Sequence, residues 1–179
     1  MTKLNTKLSM YLSKDDINNR LKEMANQLSE KYCDECPVII GILNGSFVFM
    51  ADLIRKIDFE CEIDFMKVNS YVGKETSGKV QLEKDITINI EDRRVIIVED
   101  IIDSGLTMDY LHKHISAYNP KDITIVTLLS KNNSYTLNFN IDIVGFKITS
   151  EFVVGYGLDL DQRFRQLDSL YMLEPNILA

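Results

Sequence analysis

Basic residues, cysteines and long apolar runs are all scarce in this sequence of 179 residues. Its 27 acidic residues outnumber its 20 lysines and arginines, and the net charge of −7 argues against general nucleic-acid binding, which needs a basic surface. No apolar run approaches the length of a membrane span, and the N-terminal residues lack the features of a signal peptide. Three cysteines, an odd number, are typical of a reduced cytosolic chain. We therefore expect a cytoplasmic protein that binds neither membranes nor nucleic acid.

The sequence does have the length and composition of one globular domain with a substantial core. It is 45% hydrophobic and 26% charged. Apolar runs typical of buried strands alternate with segments of helical periodicity. This alternation predicts an α/β fold with a central, mostly parallel sheet flanked by helices, in a single domain over residues 1–179.

Two local patterns are clear early in the chain. Ser13, with Asp16 three residues later, indicates a helix start, and the apolar spacing that follows predicts an amphipathic helix over residues 14–32. The apolar runs at residues 38–43 and 95–98 predict strands that are buried on both faces.

Between those two strands the pattern is less regular. Residues 69–79 are polar, contain two glycines and show no periodicity, which predicts a long mobile loop. Residues 86–90 alternate between apolar and polar side chains, which predicts a half-buried strand.

Two adjacent carboxylates, Glu99 and Asp100, directly follow the buried strand predicted at residues 95–98. Neighbouring residues within a strand point to opposite sides, but beyond the end of a strand both can reach one ligand. Paired carboxylates can accept hydrogen bonds from ribose hydroxyls or hold Mg²⁺. The alternative is a solvated pair of acids at a strand end.

A third acid, Asp103, opens a turn that leads into a predicted helix. The N-terminus of a helix presents several N–H groups to one point, as a phosphate requires. Gly105 allows close approach of the backbone, and Ser104 and Thr107 add hydroxyl donors. An ordinary helix cap would explain the turn alone. Together with the acids, the turn favours a ligand site at the carboxyl end of a parallel strand.

This stretch, residues 95–107, resembles the phosphoribosyl-pyrophosphate motif of the type I phosphoribosyltransferases. Further segments narrow the resemblance to the 6-oxopurine branch, the bacterial hypoxanthine-guanine phosphoribosyltransferases. They occur in the family's order and extend over nearly the whole chain: residues 43–47, 70–71, 131, 152–159 and 165. The resemblance implies the type I phosphoribosyltransferase fold, with a small hood formed by the N-terminal and C-terminal segments.

The implied activity is purine salvage. Phosphoribosyl would pass from 5-phosphoribosyl 1-pyrophosphate to N9 of hypoxanthine or guanine, giving IMP or GMP and pyrophosphate. The resemblance also implies Mg²⁺ as the cofactor and a homodimer or homotetramer.

For the donor, the resemblance implies a phosphate site, metal ligands and a leaving-group contact. The 5′-phosphate would bind the turn formed by Ser104, Gly105, Leu106 and Thr107. Glu99 and Asp100 would meet the ribose hydroxyls and a metal ion, and Asp159 would help to hold a second Mg²⁺. Arg165 would contact the departing pyrophosphate.

For the base, the resemblance implies four residues at the purine ring. Asp103 would act as the general base near N7, and Lys131 would donate to the exocyclic O6. Phe152 would stack on the ring, and the backbone of Val153 would contact its edge. Without the resemblance, Lys131 is a solvated lysine at a strand end and Phe152 is a core residue.

A lid and a tight turn complete the implied site. Ser70 and Tyr71 would open a lid over about residues 69–80, which closes over pyrophosphate and excludes water. Asn44 and Gly45 would bind on the pyrophosphate side, in a turn that typically has a cis Leu43–Asn44 peptide in this family.

The sequence departs from many relatives at two positions. Asn44 stands where many have lysine, so the contact to pyrophosphate would come from backbone N–H groups or from the amide. Leu106 replaces a lysine found in some members, which removes a charge beside the phosphate turn.

Two other functions stay open at this point. One is another base specificity, such as a preference for xanthine, or a pyrimidine-type relative; Lys131 and Phe152 argue for a 6-oxopurine. The other is a non-catalytic nucleotide sensor that binds nucleic acid; the negative net charge, Asp103 and Arg165 argue against it.

Overall fold

The computed structural model describes residues 7–71, 79–131 and 137–173. Strands and helices follow one another as the sequence pattern predicts. In chain order the elements are β1 (Leu8–Leu12), α1 (Lys14–Tyr32), β2 (Val38–Leu43), α2 (Phe47–Ile54), β3 (Glu62–Tyr71), β4 (Lys79–Lys84), β5 (Arg94–Ile102), α3 (Leu106–Ser116), β6 (Asp122–Lys131), β7 (Ile143–Ile148), β8 (Val153–Val154) and β9 (Leu170–Leu173).

A six-stranded sheet in the order β4-β3-β2-β5-β6-β7 forms the centre of the molecule. Its neighbouring strands are parallel except for the antiparallel pair β3 and β4. On one face, Ile96 and Val98 of β5 pack with α1 and α2, and on the other face Val95 and Ile97 pack with α3. This arrangement confirms the predicted α/β fold with its mostly parallel sheet.

A second, antiparallel sheet joins strands from both ends of the described chain, in the order β1-β9-β8. Its short strand β8 places Phe152, the residue before it, close to the carboxyl ends of β5 and β6. Within the described residues, no helix has the length and apolar character needed to cross a membrane.

The first helix begins and ends where its sequence pattern predicts, at residues 14 and 32. The Ser13 hydroxyl accepts the N–H of Asp16, and the Asp16 carboxylate accepts the N–H of Ser13, which forms a capping box. The apolar side chains of α1 are buried against the central sheet at Ile17, Leu21, Met24, Leu28 and Tyr32.

The strand predicted over residues 86–90 is wrong, because this segment has no strand partner among the described residues. Its isoleucines do point inward and pack with the core. The backbone N–H groups of Thr87 and Ile88, however, donate to the Asp64 Oδ2 atom at 2.5 and 3.1 Å. A carboxylate therefore takes the place that a neighbouring strand would have.

The long loop predicted over residues 69–79 is also corrected at both ends. Strand β3 continues to Tyr71, β4 begins at Lys79, and Ser70 pairs with Val80 across this antiparallel ladder. Strand pairing was not visible in the sequence because these residues are polar. Residues 72–78, the remainder of the predicted lid, lie outside the described residues, and the lid stays a prediction.

The Asp64 carboxylate holds residues 86–90 beside β3. It also accepts hydrogen bonds from the Phe65 N–H and the Lys84 ammonium, at 2.7 and 3.1 Å. Burial alone would raise the pKa of the Asp64 carboxyl, but these hydrogen bonds and those from Thr87 and Ile88 lower it below its usual range.

We expect Asp64→Asn to lower the free energy of unfolding by about 1–3 kcal/mol at neutral pH, because an amide cannot accept all of these donors. A folded-state pKa that is lowered gives stability above the unfolded pKa and loses it below. The difference between the two proteins should therefore shrink as the pH falls below about 4. Urea unfolding across pH measures this effect, with the exposed Asp92→Asn as the control; equal losses in both variants would contradict the role of Asp64.

Candidate active site

The carboxyl end of β5 carries the first group of predicted site residues. The prediction that this strand ends before the acids is wrong, because β5 extends to Ile102 and includes both Glu99 and Asp100. Pairing with β6 continues through Ile102, which keeps the backbone extended. The alternation of side chains along β5 reverses at the acids: Val98 packs with α1 and α2, and beyond the acids Ile101 packs on that same side, whereas Ile102 packs with α3.

Glu99 is almost fully buried, with 8% of its surface exposed. Its Oε2 atom has no hydrogen-bond partner among the described residues. Burial raises the pKa of Glu99 well above its usual range, and the charge of Asp100 raises it further. An unsatisfied buried carboxylate oxygen is costly and indicates that a ligand group completes its bonding.

Asp100 lies beside the turn that follows β2. Burial raises the pKa of Asp100 to about 6, although the Ile101 N–H donates to its carboxylate at 2.9 Å. A β-carbon on Gly45 would overlap this carboxylate, so only glycine fits here. The turn contains a cis peptide bond between Leu43 and Asn44. Asn44 is exposed next to Gly45, so the structure brings the predicted pyrophosphate turn against the predicted metal ligand.

The segment after β8 packs against the turn at Asn44 and Gly45. A β-carbon on Gly157, whose φ is +101°, would overlap the carbonyl oxygen of Gly45. Arg165 donates to the Gly157 carbonyl at 2.8 Å and pairs with the Asp159 carboxylate at 2.7 Å. Arg165 and Asp159, which were predicted to serve pyrophosphate and metal, therefore hold one another beside Asp100.

The predicted phosphate turn links β5 to α3. Gly105 has a φ of +76°, a left-handed conformation that favours glycine, and it stands immediately before the first residue of the helix. No side chain caps this helix N-terminus. Ser104 and Leu106 are exposed, and Thr107 is half-buried. The start of α3 is thus open in the way that an anion site requires.

A cavity of about 220 Å³ lies beyond this turn. All four predicted base-side residues line it, and its wall consists of Asp100, Ile101, Asp103, Lys131, Glu151, Phe152, Val153, Leu158 and Asp159. The Lys131 ammonium donates to the Asp103 carboxylate at 2.6 Å. Phe152 exposes 53% of its surface, which leaves its ring available for stacking. A donor and an acceptor thus stand side by side next to an aromatic face.

Two residues of this site were missed by sequence reasoning. Glu151 lines the cavity, and only its place immediately before Phe152 could have indicated this. Gly157 supports the Gly45 turn, and the repeated glycines at 155 and 157 were the available signal. Ser70 and Tyr71 have a described backbone at the end of β3, but their side chains lie outside the description, so their predicted contacts stay predictions.

A metal site would have to be completed by substrate. Among the residues that the structure describes, no three histidine, cysteine or carboxylate side chains form a ready-made cage. Mg²⁺ commonly keeps several waters and binds one or two carboxylates together with phosphate oxygens. Asp100, the unsatisfied oxygen of Glu99 and nearby Asp159 fit this kind of site.

Comparison with known proteins agrees with this geometry. Residues 8–161 match the model of the phosphoribosyl transferase domain. The hypoxanthine-guanine phosphoribosyltransferase of Bacillus subtilis is 44% identical over 170 residues, which cover 94% of each chain. The chain belongs to the phosphoribosyl transferase family.

Two solved structures of hypoxanthine-guanine and hypoxanthine phosphoribosyltransferases share the architecture. The enzyme from Bacillus anthracis superposes with a TM-score of 0.88 at 40% identity and covers 96% of this chain and 100% of its own. The enzyme from Trypanosoma cruzi, solved in complex with the product IMP, has a TM-score of 0.87 at 33% identity and covers 99% of both chains. The predicted family membership and fold are thus confirmed.

In this member of the phosphoribosyl transferase family, the acid pair should destabilise the ligand-free protein. We expect Asp100→Asn to raise the free energy of unfolding by about 2 kcal/mol at pH 7, since the amide needs no proton to be neutral and can still accept the Ile101 N–H. A raised folded-state pKa makes the wild type lose stability as the pH rises from about 4 to about 6. The gain should therefore disappear below about pH 4.

Chemical unfolding at a series of pH values, in the absence of divalent cations, measures this gain. The exposed Asp161→Asn is the matched control and should show no such pH dependence. A destabilised Asp100→Asn protein at pH 7 would contradict the assignment of buried charge.

Proposed function

We propose that this protein transfers the phosphoribosyl group of 5-phosphoribosyl 1-pyrophosphate to N9 of hypoxanthine or guanine, giving IMP or GMP and pyrophosphate. The observation that carries this proposal is the cavity in which the Lys131–Asp103 pair, exposed Phe152 and acidic Asp100 meet at the carboxyl edge of the sheet. The names of the relatives at about 40% identity support the same reaction.

At the base, the Lys131–Asp103 pair matches the edge of a 6-oxopurine. The ammonium donates to O6, and the carboxylate accepts the proton carried at N7, so the base is oriented and loses that proton as N9 attacks. Adenine presents an amino group in place of O6 and would leave Lys131 facing another donor. Phe152 stacks on the ring, and the backbone of Val153 borders its edge.

Three sets of residues bind the three parts of the donor: its 5′-phosphate, its ribose and its pyrophosphate. The N–H groups and hydroxyls of Ser104, Gly105, Leu106 and Thr107 hold the 5′-phosphate at the uncapped start of α3. Glu99 and Asp100 accept hydrogen bonds from the ribose hydroxyls, and their negative charge stabilises an oxocarbenium-like ribose. The backbone at Asn44 and Gly45, together with Arg165, binds the pyrophosphate as it leaves.

The proposed cofactor is Mg²⁺, held by Glu99, Asp100 and Asp159 with oxygens of the donor. When bound, it neutralises charge on the pyrophosphate and makes it a better leaving group. Ser70 and Tyr71 would close the lid over the donor and exclude water that could hydrolyse it. We further expect a homodimer or homotetramer in the cytoplasm, as the family resemblance implies.

A direct assay tests the reaction. We expect IMP from hypoxanthine and GMP from guanine when each base is incubated with 5-phosphoribosyl 1-pyrophosphate and Mg²⁺, and no product from adenine. Chromatography of the nucleotides measures this, and a chelator of divalent cations should stop the reaction. No nucleotide from any purine would contradict the proposal and favour a non-catalytic sensor.

The role of Asp103 gives a second test. We expect Asp103→Asn to lower kcat by about 10²- to 10⁴-fold, the usual loss of a general base, and to change the affinity for the donor much less. Steady-state kinetics and calorimetric titration of the donor measure the two quantities. Asp109→Asn, which removes a half-buried carboxylate paired with Lys113 on α3, is the control. Equal losses in turnover and donor affinity would contradict the role of base.

A further inference from the structure

Glu151 lines the cavity, yet the proposed reaction gives it no task. Its carboxylate is held in one place by Thr149, since Oε1 accepts the hydroxyl at 2.7 Å and Oε2 accepts the backbone N–H at 2.9 Å. These hydrogen bonds lower the pKa of the Glu151 carboxyl, and the bond from the Thr149 hydroxyl has the largest effect. Glu151 therefore presents a fixed negative charge at neutral pH.

The groups around Glu151 do not cancel this charge. Tyr11 on β1 faces it, and the pKa of that phenol is raised by burial and then by the charge of Glu151. Lys131 on β6 is close enough to interact electrostatically with Glu151, but its ammonium group already pairs with the Asp103 carboxylate at 2.6 Å. Among the described residues that line the cavity, Lys131 is the single cation against four carboxylates. Asp103 pairs with Lys131, and Asp159 pairs with Arg165, a residue outside the lining, so the charges of Glu151 and Asp100 are left over. The cavity is thus negative as a whole.

The 6-oxopurines differ in charge as well as in shape. Hypoxanthine and guanine are neutral in neutral solution. Xanthine carries a second oxo group and an acidic ring N–H, so that it ionises near neutral pH. A negative wall repels the xanthine anion and leaves the two neutral bases unaffected.

We infer that Glu151 is a specificity-determining residue whose fixed negative charge excludes the xanthine anion from the base cavity. This inference rests on the proposed function, because it requires the purine to bind in this cavity. It assigns base selection to two separate groups. Lys131 selects for O6, which all three bases share, and Glu151 selects by charge among them.

The test is Glu151→Gln, which removes the charge and keeps a side chain of the same shape with an oxygen that can still accept from Thr149. We expect the ratio of kcat/KM for xanthine to kcat/KM for hypoxanthine to rise about fivefold above the pH at which xanthine ionises, the effect of one charge at a few ångströms in a partly solvated cavity. Below that pH the ratio should stay close to the wild-type value. The ratio for guanine to hypoxanthine should not follow this pattern.

Two controls separate charge from structure. Thr149→Val frees the carboxylate but keeps its charge, so its xanthine ratio should stay nearer to the wild type than that of Glu151→Gln. Glu60→Gln removes an exposed charge that does not line the cavity and should leave the ratio unchanged. Thermal unfolding of each variant confirms that it is folded.

The outcomes are distinguishable. If Glu151→Gln raises the xanthine ratio only where xanthine is ionised, the inference holds. If the wild type converts hypoxanthine but Glu151→Gln leaves the ratio unchanged at both pH values, the inference is overturned and the proposed function stands. If both variants at Glu151 and Thr149 change the ratio equally at every pH, Glu151 acts only through the turn, which also overturns it. No product from any purine in the wild type overturns both.

Discussion

Two adjacent carboxylates at the end of the central strand constrain most of this structure. Glu99 and Asp100 lie near the end of β5, where pairing with β2 has stopped at Val98 but pairing with β6 continues, so the backbone of both residues is still held by the sheet. Removing carboxylates from water costs several kcal/mol unless other groups compensate. In the described residues the compensation is partial, because Asp100 accepts a backbone N–H while Glu99 keeps an unsatisfied oxygen. The raised pKa values of both groups express this cost.

The segments around Asp100 come from distant parts of the chain and depend on one another. Because Gly45 has no side chain, there is room for the Asp100 carboxylate beside it. Because Gly157 has none either, its backbone can approach the Gly45 carbonyl. Arg165 then bonds to Gly157 and Asp159, which places a cation at the side of Asp100. A larger residue at either glycine would separate these layers. The close packing of backbone against backbone therefore decides where the charges of the site lie.

The other end of the site is organised by charge pairing at the surface of a cavity. Asp103 follows β5 and Lys131 ends β6, and the parallel pairing of these strands brings the two side chains into contact. The exposed ring of Phe152, which directly precedes β8, and Val153, the first residue of β8, also line this cavity. The central sheet thus supplies the polar groups, and the small antiparallel sheet supplies the apolar wall.

Much of the fold and part of the site could be predicted from the sequence. Apolar periodicity determined α1 and the buried core of β5, because burial selects for such side chains directly, and the order of acids, turn and helix at residues 99–107 marked the site. Strand ends, the pairing of polar residues 69–71 and the irregular course of residues 86–90 depended on tertiary structure, since the Asp64 carboxylate and neighbouring strands decide them.

The sequence by itself determined which chemical groups this protein has and in what order they occur. Only the tertiary structure decided which of them meet. Gly45, Asp100, Gly157 and Arg165 are far apart in sequence yet lie together. The reason is physical: strand pairing and the close packing of backbone on backbone bring together residues that no local pattern connects.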